Sequence, residues 1–113
     1  MLSIRRKAAQ TVADKLIAAE NAIDLALQRT AELAGAMPQA RSDAHYAAEI
    51  GQEAMERAVS AIAVLVQARR EIVATHKELA ETRDRVGLAA FAMGGLSDKL
   101  PTGEASPHIR AVA

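Results

Sequence analysis

Cysteine and tryptophan are absent from this chain of 113 residues, and its only aromatic side chains are Tyr46 and Phe91. Without cysteine there is no disulfide, no thiolate–metal centre and no cysteine nucleophile. With so few rings, no large anchor can fill a core, and stability has to come from many small contacts spread over long surfaces. Proline occurs three times, and Pro38 is the only one before residue 101, so helix breakers are scarce over most of the chain. Neither sign of charge dominates, because fourteen basic residues balance fourteen acidic ones. A nucleic-acid binder shows a clustered positive field, and the one cluster here is Arg5-Arg6-Lys7, which argues against nucleic acid as a partner. No apolar run approaches the ~20 residues of a membrane span. The first residues also lack the continuous apolar core of a signal peptide, so a cytoplasmic protein without a membrane role is expected.

Alanine is what the chain has, 27 residues of it. Alanine has the highest helix propensity and buries little area, so helices should form readily around a thin core. From Asp43 to Met93 an apolar position recurs every three to four residues, which predicts a long second helix over about 43–93. On a heptad, one seam of that helix carries Ala58, Leu65, Ile72, Leu79, Val86 and Met93. The neighbouring seam is small: Ala54, Ala61, Ala68, Thr75, Thr82 and Ala89. A first helix is predicted over about 3–35, with Leu2, Ala9, Leu16, Ile23, Thr30 and Met37 on its seam and Val12, Ala19, Ala26 and Leu33 interleaved. Its charged residues, Glu20 and Asp24 among them, fall mostly outside. Gly35 and Pro38 read as a helix stop, and Gly94-Gly95 as the end of the second helix. Residues 97–113 have the composition of a flexible tail.

The fold class that follows is all-α: an antiparallel hairpin of two long helices within residues 1–96. A turn near Gly35–Ser42 makes opposing residue numbers add up to about 82, placing Leu33 near Ile50 and Leu16 near Val66. The second helix then overshoots the first by roughly ten to fifteen residues. Each helix also shows a second apolar flank that a lone hairpin leaves in water, which predicts a homodimer, a four-helix bundle or coiled coil of two hairpins. The expected partner or oligomer interface is Leu65, Ile72, Leu79, Val86, Leu88, Phe91 and Met93. Arg69, His76 and Arg83 are expected on a solvent-facing flank, where a parallel pair would set Glu71 against the partner's His76 and Glu78 against the partner's Arg83.

Catalytic constellations require particular residue types at particular spacings. A di-metal carboxylate bundle needs repeated Glu-x-x-His steps, and the sequence contains none. His45, Glu49 and Glu53 follow one another at one-turn spacing and could meet on an outward helix face, where such groups are ordinarily solvated. No glycine-rich phosphate loop or nucleophile elbow occurs. Tyr46 reads as a packing plug at the hairpin turn with its hydroxyl in water. The uncharged stretch Val86–Leu96 joins Phe91, Met93 and flexible glycines, a composition suited to an adaptable binding surface.

These readings lead to a non-enzymatic helical interaction protein, an adaptor, scaffold or assembly factor. It is expected to have no catalytic residues, no cofactor and no metal, to self-associate and to dock a protein partner. Two alternatives from other classes are carried. One is a histidine-phosphotransfer-like signalling bundle using His76. The other is peripheral membrane or nucleic-acid association through Arg5-Arg6-Lys7.

Overall fold

The structure, a computed structural model, describes residues 2–87. They form two helices that pack against each other as a hairpin, α1 (Leu2–Asp43) and α2 (Gln52–Arg85), and the described residues contain no strand.

Both helix boundaries differ from the sequence-based expectation. α1 does not stop at Gly35 but continues through Pro38 to Asp43. Gly35 has no positive φ, so it serves as an ordinary helical residue and not as a cap. The actual stop is a left-handed cap built on a non-glycine residue. The Tyr46 N–H donates to the Arg41 carbonyl at 3.1 Å, the His45 N–H donates to the Ser42 carbonyl at 3.1 Å, and His45 sits at φ 57°. Those two bonds with one left-handed residue between them are the Schellman arrangement, which satisfies carbonyls left over at a helix end. A histidine performs there what the sequence reading assigned to glycine.

α2 starts at Gln52, nine residues later than expected, behind Gly51 at φ 84°. The Gly51 carbonyl accepts the Met55 N–H at 3.0 Å, the first bond of the helix. At the far end Gly87, at φ 80°, donates its N–H to the Asp84 carbonyl. Gly87 therefore closes α2, and Gly94-Gly95, where the sequence predicts the stop, lie outside the described residues. Among the described residues the first helix is the longer, 42 residues against 34, so the overhang expected of α2 is not found there.

Because the turn occupies residues 44–51, the register moves as well. Asp24 meets Arg69 and Glu20 meets His76, pairings well away from a sum near 82. Leu33 opposite Ile50 and Leu16 opposite Val66 are thereby replaced.

The described residues divide into two compact units, one formed by residues 2–20 and 71–87, the other being Asn21–Arg70. In the first unit Ala13 and Leu16 are buried, and Ala9, Ile72 and Leu79 pack around them. Ala80, His76 and Arg83 are also buried there. In the second unit the one fully buried residue is Ala58. Its helices are tied by the Arg69 Nε, which donates to Asp24 Oδ1 at 2.7 Å, with both side chains about half exposed.

Candidate functional site

The first unit contains a polar seam that the hydrophobic pattern did not reveal. His76 is 4% exposed and Arg83 5%, so both leave the solvent flank to which the sequence reading assigned them. The reason is the register. In the first unit His76 and Arg83 lie seven apart, on one face of α2, and α1 presents Glu20 to His76 there. His76 Nδ1 lies 3.4 Å from Glu20 Oε1, with 5% and 16% of the two side chains exposed. The approach is of ion-pair length but lacks hydrogen-bond geometry, and Glu20 Oε1 is buried without a hydrogen-bond partner. The Arg83 guanidinium meets the Asp84 carboxylate at 3.3 Å, the arginine being 4% and the aspartate 17% exposed in their side chains. An intermolecular pairing of Glu71 with His76 and of Glu78 with Arg83 is not what this arrangement favours, since both basic residues are buried within their own chain.

The burial bears equally on phosphoryl transfer. A phosphoryl-accepting histidine has to reach its donor, and His76 is enclosed with a carboxylate facing its Nδ1. A phosphate there would meet that negative charge at close range.

Of the expected interface residues, Leu65 is half-buried in the second unit, and Ile72 and Leu79 are half-buried against the Ala13–Leu16 core of their own unit. Val86 is exposed at the end of α2. Leu88, Phe91 and Met93 lie outside the described residues, as do the rest of the stretch 88–96 and the tail 97–113.

His45, Glu49 and Glu53 do not share a helix face. His45 and Glu49 are in the turn and Glu53 is in α2, and no group of three possible metal ligands gathers among the described residues. No helix among them is long and apolar enough to cross a membrane.

Large apolar side chains stay in water along both helices. In the second unit Leu25, Leu33, Ile50, Val59, Val64 and Val66 are all exposed, beside its one buried alanine. Val59 and Val66, seven apart, fall on one face of α2. The first unit exposes Leu2, Ile4, Val12, Val73 and Val86.

The second unit also holds an apolar cleft of 240 Å³ at the turn. Met37 and Arg41 come from the end of α1, Tyr46 and Ile50 from the turn, and Met55 from the start of α2. Tyr46 is 59% exposed, so it forms a wall of this cleft and plugs nothing. The sequence carried a signal for this feature in its two turn-flanking methionines, but the turn had to be placed correctly before Met37 and Met55 could be brought together.

No protein-family model matches this chain, and no similar protein was found among the curated proteins or the solved structures compared with it.

Proposed function

We propose that the chain is a non-enzymatic helical interaction protein that pairs with a second copy of itself, hairpin against hairpin, and serves as an adaptor or assembly factor. The observation that carries this reading is the imbalance in the second unit, where six large aliphatic side chains are exposed while one alanine is buried. Burying a valine or leucine side chain stabilises a structure by about 1.5–3 kcal/mol. A surface with several such groups at helical spacing gains from a partner helix far more than from water, and closed two-fold pairing is the commonest way for one surface to satisfy itself. The polar seam agrees with a packing role for His76, because its buried contact with Glu20 joins facing helices and favours one register.

Sedimentation equilibrium or light scattering at micromolar concentration tests the reading. The expected species has about twice the chain mass of 11.9 kDa. Val59→Lys with Val66→Lys should shift it to the monomer with helix content retained. A wild-type chain that stays monomeric and fully helical at these concentrations removes the self-association.

A further inference from the structure

We infer that the cleft at the hairpin turn is a docking site for the C-terminal residue of a partner polypeptide, taking its apolar side chain between Met37, Ile50 and Met55 and its α-carboxylate on Arg41. The inference rests on the reading of the chain as an interaction protein and adds where, and to what chemistry, it binds.

The cleft lies wholly within the second unit and combines two properties. Its walls are apolar and adaptable, because methionine side chains are flexible and polarizable and repack around differently shaped guests. One cation stands in that wall. Arg41 is half-buried, and its Nη1 donates to the Tyr46 carbonyl at 2.9 Å. A guanidinium has five N–H donors in a planar fork, so that single bond leaves most of its donor capacity unused. No carboxylate among the described residues pairs with it. The nearest acid in sequence, Asp43, instead accepts from Gln39 Nε2 at 2.9 Å. A partly desolvated arginine fork lined up with an apolar surface matches a carboxylate attached to an apolar body, the pairing for which arginine is better suited than lysine.

Size narrows the guest. Pockets for drug-sized ligands measure about 300–1,000 Å³, and 240 Å³ is below that range, room for one large side chain. The apolar group and the anion must then come from the same residue. In a polypeptide only the C-terminal residue joins a large apolar side chain directly to a carboxylate, whose capture is a recurring recognition mode and whose geometry an arginine fork matches.

The test uses two probes on the full chain, acetyl-Ala-Ala-Phe as the free acid and the same peptide as the C-terminal amide. Tyr46 is the single tyrosine and tryptophan is absent, so intrinsic emission reports directly on the cleft wall. Methyl resonances of Met37 and Met55 give a second readout. Saturable changes in Tyr46 emission and in both cleft methyls are expected with the acid, and at least about tenfold weaker binding with the amide, the size of effect one charge-assisted bond supplies. Arg41→Gln should erase the difference between the two probes. Because Arg41 also braces the turn, Ile50→Glu serves as the second variant: it acts at an exposed position, sets a competing carboxylate beside Arg41 and should abolish binding with the circular-dichroism spectrum unchanged. Equal binding of acid and amide, no saturable change up to ~10 mM probe, or octanoate binding as tightly as the peptide would each overturn the assignment. A monomer that binds the acid would end the dimer reading and leave this one standing, and a dimer blind to the peptide would do the reverse.

Discussion

Glu20 on α1 and His76 on α2 face each other across the first unit, Oε1 to Nδ1, at 3.4 Å, both largely withdrawn from water. A buried carboxylate oxygen with no hydrogen bond is costly to keep, so the contact with the histidine is what makes its burial tolerable. The two truncations should therefore not be additive. Glu20→Ala or His76→Ala alone is expected to cost about 1–3 kcal/mol in urea unfolding. The double variant should be closer to wild type than the sum of the two singles, with a coupling of about 1 kcal/mol or more. Strict additivity would mean that the two groups do not interact in solution.

The cap that ends α1 offers a cleaner test, because it depends on one backbone angle. His45 is held at φ 57°, a conformation that glycine adopts without a Cβ penalty and that β-branched residues resist strongly. His45→Gly should leave stability unchanged or raise it by up to ~1 kcal/mol, whereas His45→Val should lower it by about 1–2 kcal/mol. Thermal melts of the three proteins decide it, and a valine variant as stable as wild type would show that residue 45 is not held in the left-handed region.

Much of the architecture was legible in the sequence, and the part that was not has a definite cause. Periodicity alone placed Ala9, Leu16, Ile23, Thr30 and Met37 on the packed side of α1, and Ala58, Leu65, Ile72 and Leu79 on that of α2, and these are buried or half-buried, whereas Leu2, Val12 and Leu33 of the α1 pattern and Val86, Ala54, Ala61, Thr75 and Thr82 of the α2 seams are exposed. The turn was misplaced because Gly35 and Pro38 look like stop signals, whereas the operative signal is a left-handed histidine that no composition rule singles out. A turn displaced by about six residues changes every pairing across the hairpin. The second packing seam was then misread. It contains Glu20 on α1 and His76 and Arg83 on α2, and a pattern search that rewards apolar residues assigns such positions to solvent. That Glu20 meets His76 is a property of two helices at once, and a single-helix wheel cannot show it. The cleft at Arg41 was hidden for the same reason.

Gly35 and Pro38 are themselves sites for stabilisation. Gly35 lies inside α1, and a Cβ built on it meets nothing within 4 Å. Gly35→Ala should raise stability by about 0.5–1 kcal/mol through a lower entropy of the unfolded chain. Pro38 is exposed within the same helix and has no N–H to give the Ala34 carbonyl. Pro38→Ala restores that bond and should add a further gain of about 1–3 kcal/mol. Urea denaturation of each variant measures both. If Pro38→Ala is destabilising, the proline is instead holding a bend that the packing of α1 requires.

Leu16 separates the internal core from the surface held to be shared between copies. It is the one large aliphatic side chain among the described residues that is fully buried, and its neighbours Ile72 and Leu79 are themselves half-exposed. Leu16→Ala removes buried methyl groups from a site that its neighbours can partly close over, so the expected loss is at the lower end of the usual range, about 2 kcal/mol. That loss should be the same at every protein concentration if the core is internal to one chain. Val64→Ser, at an exposed position, should cost less than ~0.5 kcal/mol in a monomer. In a dimer that buries Val64 it should instead make the melting temperature fall more steeply on dilution than that of wild type. Melts of both variants over a hundredfold range of concentration therefore read the two surfaces separately. A Val64→Ser protein indistinguishable from wild type at every dilution would place Val64 outside any shared interface.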